Sequence, residues 1–200
     1  MTNLARERQA SIAATIPGFG APPSWQVCVY RSTVTGGAYA ETSAWSTTSL
    51  APPSVGEGVV RDSSNMCFVR LFPKFSQIPA QNLRVALGHE MYHCLHFEQR
   101  QRAGNGPSNN MWAEESLATW TANWLTPGTY QPTAHPPGSH YAKWIDEWQT
   151  GLFQRSYDAL GFFGLLEEQN GYASVWAGIP AAWAAGANDG AVFAALGGRG

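Results

Sequence analysis

Apolar and polar positions change their period part-way along the chain. In the first third, short runs rich in β-branched and aromatic residues lie between turn formers. Residues 25–30 (Trp-Gln-Val-Cys-Val-Tyr) and 66–72 (Met-Cys-Phe-Val-Arg-Leu-Phe) are such runs and read as strands. A Thr/Ser/Gly-rich stretch between them, with Tyr39 and Trp45, predicts one or two more strands before Pro52-Pro53 closes it, and Pro73 ends the later run. From Gln81 to about Gln101 the spacing is helical, until Gly104-Asn105-Gly106-Pro107 breaks it. Asn109 or Asn110 can cap a second helix reaching about Leu125, stopped by Pro127-Gly128. A Pro/His-rich loop over 130–139 precedes predicted helices at 140–151 and 154–168, with shorter ones in the Ala/Gly-rich tail. Residues 2–15 predict a weakly helical, polar lead-in, stopped by Pro17-Gly18 and Pro22-Pro23. Strands first and helices afterwards predict an α+β fold. The expected organisation is one domain over 1–200: lead-in at 1–24, mainly β at 25–78, mainly α at 79–200.

Composition narrows the function classes. Charged residues are only 13% of the 200, against about 25% in a typical soluble domain. The hydrophobic fraction of 44% and net charge of −2 exclude intrinsic disorder. Twelve cations, nearly balanced and nowhere in a basic run, exclude phosphate-driven nucleic-acid binding. The longest uncharged stretch, residues 169–188, is interrupted by Gly171, Gly178, Pro180 and Gly186, so no membrane span is expected. Met1 to Ala10 carries Arg6, Glu7 and Arg8 with no apolar run behind them, so no signal peptide is expected there.

The scarce ionisable groups are concentrated. Three of the five His and four of the Glu fall between His89 and Glu115. The first site helix contains His89-Glu90-Met91-Tyr92-His93. Histidines at i and i+4 lie about 40° apart on one helical face, so both imidazoles can reach one metal ion. Glu90, about 100° from His89, is close enough to take a proton from a metal-bound water. Leu83, Leu87, Met91 and Cys94 lie about 120–200° from His89 and predict the buried back of the helix. In the second helix, Ala113, Leu117, Trp120 and Trp124 form an apolar stripe. Glu115 projects almost opposite to that stripe and Glu114 to one side. A third ligand from this helix would leave a fourth position open for water, as catalytic zinc requires.

With Trp112-Ala113-Glu114-Glu115-Ser116-Leu117-Ala118-Thr119-Trp120 placing a Glu 22 residues after the second His, the chain resembles the gluzincin (thermolysin-like) zinc metallopeptidases. The resemblance is strong over 85–125. It implies a zincin-like fold with an N-terminal twisted β-sheet, an active-site helix and a C-terminal helical subdomain. It further implies Zn2+ held by His89, His93 and Glu115, Glu90 as catalytic base, and peptide or protein substrates. Ser116 replaces the usual Gly, and Thr119 stands where some members carry an acid that supports a ligand His. Tyr157, in Tyr157-Asp158-Ala159-Leu160-Gly161-Phe162-Phe163, resembles the Tyr that hydrogen-bonds the tetrahedral intermediate; His140 is the other candidate donor. Position alone makes residues 66–72 the expected substrate-pairing edge strand.

Other zincin patterns fit worse. A metzincin needs Gly at 96 and His at 99, where this chain has His96 and Gln99. Gly128-Thr129 is followed by no Asp in Tyr130, Gln131 or Pro132. His96 is expected beside the ligands rather than among them, and His135 as a loop residue. Nine Trp and seven Tyr leave two alternatives: a carbohydrate- or cell-wall-binding module, or an inactive zincin scaffold. Cys28 and Cys67 could pair, with Cys94 a buried thiol. Only two Lys, with many Ser, Thr, Gly and Trp, favour an extracytoplasmic or secreted location, which would require a longer precursor.

Overall fold

A computed structural model describes residues 2–16, 26–31, 40–45, 66–102, 110–126 and 139–198. Helix dominates: α1 (Thr2–Thr15), α2 (Ala80–Arg102), α3 (Met111–Trp124), α4 (His140–Asp146), α5 (Leu160–Asn170), α6 (Tyr172–Ala184) and α7 (Asp189–Ala195). Short 3-10 turns lie at Pro73–Gln77, Leu152–Gln154 and Tyr157–Ala159. Three six-residue strands, β1 (Gln26–Arg31), β2 (Ala40–Trp45) and β3 (Met66–Leu71), form one small sheet in the order β1-β3-β2.

This overturns the expected α+β fold with an N-terminal twisted sheet as its foundation, because the described chain is mostly helical. Residues 2–15 are helical, as expected, but the helix has a buried face. Ala5, Arg8, Ile12 and Ile16 are buried at i, i+3, i+7 and i+11, a helical stripe that seats α1 on α2. Arg8 hides this stripe from a reading of apolar residues alone. Its guanidinium is buried and donates from Nη1 to the Leu125 carbonyl at the end of α3 (3.0 Å), completing a carbonyl the helix leaves unpaired.

The sheet also differs from expectation. β3 runs parallel to β1 and antiparallel to β2, so it is the central strand and has no free edge for a substrate. Among the described residues, β2 has an unpaired outer edge, and β2 packs against α2. Cys67 in β3 forms a disulfide with Cys94 in α2, so the expected Cys28–Cys67 pair is corrected. Cys28 lies opposite Phe68 in the sheet register. The i, i+3/i+4 phase of α2 explains the link: Leu87, Met91 and Cys94 share the buried back of that helix, the side that meets β3.

α2 and α3 form the centre of the molecule. α3 is buried almost all round, from Trp112 through Ala122, and only its acidic pair Glu114 and Glu115 is less enclosed among those central residues. Gly88 lets the two helices approach: a Cβ there would lie 3.2 Å from that of Ala122. Tyr92, fully buried on α2, accepts a hydrogen bond from Trp183 Nε1 of α6 (3.0 Å). Trp112, Trp120 and Trp176 are likewise buried, with Trp120 and Trp176 rings 4.7 Å apart. No described helix is long and apolar enough to cross a membrane.

Candidate metal centre

Close approach of α2 and α3 at Gly88 turns their polar faces toward one point. His89 and His93 come from α2, one helical turn apart, and Glu115 from the second turn of α3. His89 Nε2 lies 3.0 Å from His93 Nε2 and 3.1 Å from Glu115 Oε2; His93 Nε2 lies 3.5 Å from the same oxygen. Ligand atoms about 2.0–2.1 Å from a tetrahedral zinc lie about 3.3–3.4 Å from one another. The three observed separations bracket that value, so the donor set and its spacing both fit zinc. Among the described residues this is the group of three His, Cys, Asp or Glu side chains that could hold a metal ion.

The local field favours a cation. Burial pushes the His93 imidazolium down, but the adjacent Glu115 and the charges of Glu90 and Glu114 outweigh it and leave its pKa raised. Burial pushes the Glu115 carboxyl up, but the His89 and His93 imidazoles overcome it and hold the group well below the usual carboxylate range. The same negative groups that favour a proton on His93 would favour a metal ion beside it. Glu90 is buried, and its charge is felt at both His93 and Tyr157.

One hydroxyl joins the two site helices. Thr119 Oγ1 donates to the Glu115 carbonyl (2.7 Å) and lies 3.2 Å from His89 Nδ1. The residue four after Glu115 thus sets a hydroxyl in contact with the expected ligand His89.

A second wall faces the triad. The Tyr157 ring stacks between His89 (centroids 5.5 Å apart) and His140 (5.1 Å). Burial and the charges of Glu115 and Glu90 push the phenol up, so it stays protonated at neutral pH. His140, the first residue of α4 after the Ser139 cap, is pushed down by burial and by His89 and Lys143, against the opposing Asp158. Both rings owe their place to Arg155, two residues before Tyr157. The Arg155 guanidinium is buried and donates to Asp158 Oδ2 (2.8 Å), to the Thr150 carbonyl (3.1 Å) and to the Glu147 carbonyl. Its flat face lies 4.5 Å from the Trp144 ring centroid, and Trp144 in turn covers Gly161, where a Cβ would overlap the indole. One cation therefore ties α4, the turn after it and the Tyr157 turn into a single piece.

The structure brings together the ligand atoms of His89, His93 and Glu115 and stacks Tyr157 and His140 beside them, with Glu90 buried next to His89 on α2. His96 is not among the ligands. It is buried between Tyr92 and Trp183, with Nε2 4.0 Å from Glu114. His135 lies outside the described residues. Sequence reasoning did not find Gly88 or Arg155; neither carries a local signal, since each acts through a partner distant in sequence or across a turn. No protein-family model matches the chain, and comparison with curated proteins and solved structures finds no significant similarity.

Proposed function

We propose that the protein is a zinc-dependent peptidase of gluzincin type. The observation that carries this reading is the triangle of His89, His93 and Glu115 lone-pair atoms, with edges of 3.0, 3.1 and 3.5 Å. His89, His93 and Glu115 would hold the ion. Zinc bound there supplies Lewis-acid polarisation of a scissile carbonyl and lowers the pKa of water toward about 7.

The remaining steps belong to side chains of this chain. Glu90 takes the proton of the attacking water and delivers it to the leaving amine. The Tyr157 hydroxyl, kept protonated by its surroundings, donates to the oxyanion as the carbonyl becomes tetrahedral. His140, neutral beside it, is the alternative donor and holds the outer face of the tyrosine ring. An extended peptide would pair its main chain with the outer edge of β2, since both edges of β3 are occupied.

The Cys67–Cys94 disulfide supports an extracytoplasmic setting, where such bonds form and persist. A sugar-binding module is a weaker reading, because Trp112, Trp120, Trp176 and Trp183 are spent on packing rather than offered as faces. An inactive scaffold is disfavoured by Glu90, whose carboxylate a bare scaffold does not need. Elemental analysis of purified protein, with casein or peptide-library cleavage followed with and without a chelator, tests the proposal. Stoichiometric zinc and chelator-sensitive cleavage are expected; active protein free of metal would overturn it.

A further inference from the structure

Arg155 commits every nitrogen of its buried guanidinium to the protein itself. Nε donates to the Thr150 carbonyl, Nη1 to Asp158 Oδ2 and Nη2 to the Glu147 carbonyl. Glu147 closes α4 and Thr150 lies in the turn behind it, so two of the acceptors are main chain at the end of the helix that begins with His140. The third belongs to the residue after Tyr157. Asp158 Oδ1 in turn accepts from the Ser156 backbone N–H (3.3 Å), so the tyrosine's main chain is fastened on both sides. A rigid planar fork holds its acceptors at fixed angles, which an ammonium on a flexible stem does not. Lys143 Nζ also reaches Asp158 Oδ1 (3.7 Å), but its side chain is 51% exposed and adds charge without a fixed direction. The Tyr157 ring lies between two imidazole planes, at 17° to His89 and 20° to His140, and the main chain beneath it sets where its hydroxyl points.

We infer that Arg155 is a positioning residue: without meeting substrate, it aims the Tyr157 hydroxyl by holding the Tyr157 turn to the end of α4. The inference rests on the proposed peptidase reading for its effect on rate, though not for its effect on the ring. The competing account is a buried ion pair that serves stability alone. The two differ in what loss of the fork changes. A stability role lowers the folded fraction and touches every property together. A positioning role leaves His89, His93 and Glu115 in place, because those groups stand on α2 and α3, and falls on the step in which Tyr157 donates. Trp144 suits the tie to a guanidinium, since its ring takes the flat face at 4.5 Å and also covers the bare Cα of Gly161.

Arg155→Lys keeps the charge and removes the fork. Its kcat is expected to fall by up to about 10²-fold, as a displacement of about 1 Å does, with KM and zinc affinity close to wild type. In a Tyr157→Phe background the same substitution should cost much less, because the group it aims is gone. A second readout needs no activity. In the full chain with 13C-labelled tyrosine, the Tyr157 ring signals are those missing from Tyr157→Phe. They are expected to be shifted by the two flanking imidazoles in the wild type and to move toward those of an exposed tyrosine in Arg155→Lys. Asp158→Asn keeps the shape of the pair and removes its charge; it should move kcat and ring in the same direction, and it carries the test where Arg155→Lys does not fold. Fully independent kcat losses, a fall in zinc affinity matching that in kcat, or an unmoved Tyr157 ring in the folded variant overturns the inference. A ring that moves with residue 155 in a protein that cleaves no peptide supports the positioning role and removes the peptidase reading instead.

Discussion

The two walls of the candidate site are built on opposite principles. The α2–α3 wall is deeply enclosed: the His89 and His93 side chains are 12% and 9% exposed, the helices approach closely at Gly88 and Ala122, the disulfide ties α2 to β3, and Arg8 of α1 caps the end of α3. The wall carrying His140 and Tyr157 is more open: Tyr157 is 39% exposed, and the wall is tied by the Arg155 guanidinium and by Lys143 at Asp158. The three ligand atoms lie within 3.5 Å of one another because the two helices beneath them are packed so closely. A group that meets substrate has to border free space. Rigidity and access are thus given to different segments of one chain.

Breaking the enclosed wall should have the largest effect. His93→Ala should abolish both zinc binding and cleavage, and full zinc stoichiometry in that variant would remove the ligand assignment. Glu115→Ala should likewise weaken zinc far more than Glu114→Ala, whose carboxylate faces His96 and Arg100. Glu90→Gln separates chemistry from binding: zinc is retained while turnover falls by about 10²–10⁴, the usual worth of a positioned base.

The open wall should respond differently. Tyr157→Phe should lower kcat by about 10²–10³, as loss of one oxyanion donor does, and leave zinc affinity close to wild type. An unchanged kcat would leave His140 as the donor to examine. Gly88→Ala sharpens the contrast from the structural side. The added methyl must push against Ala122, so unfolding should become easier by about 1–3 kcal/mol and zinc binding should weaken with it.

The smallest effect is set by pH. Burial pushes the Asp158 carboxyl up, but hydrogen bonds from the 156–158 backbone and from Arg155, with the Lys143 charge, leave it below its ordinary value. Its folded pKa is therefore lower than its unfolded one, about 3.9. Its contribution to stability is full above that unfolded value and is lost as pH falls through the lower folded value. Thermal unfolding measured across the acid range should show this dependence in the wild type and less of it in Asp158→Asn. An identical acid profile in both would detach Asp158 from the stability of the open wall.

What could be read in advance follows the distance over which each feature acts. His89, Glu90 and His93 lie within one turn and a bit of helix, and Glu115 is placed by the phase of Leu117 and Trp120, so helical geometry alone orients them. The helix ends were legible where Gly and Pro mark them, as at Asn110 and after Leu125. Tyr157 and His140 were reached only by resemblance, because what brings them to His89 is the Arg155 tie across α4 and two turns. Strand order was hidden for a similar reason: the residues of β3 are equally compatible with a central or an edge place. The helicity of α1 was legible but its packing was not, because its buried stripe contains an arginine that works as a cap. Three cysteines allow three pairings, and only the meeting of β3 with the back of α2 selects Cys67 and Cys94.

That disulfide closes a ring of chain from Cys67 to Cys94, and the ring contains both His89 and His93. It also contains the Pro73–Gln77 turn, where Pro73, Lys74, Ser76 and Gln77 are exposed. A proteolytic nick in that turn would therefore release no fragment: the severed ends stay on one molecule, held by the sulfur link one residue beyond His93. Such a nicked form keeps both histidines tethered to the sheet and becomes two separate pieces only under reducing conditions.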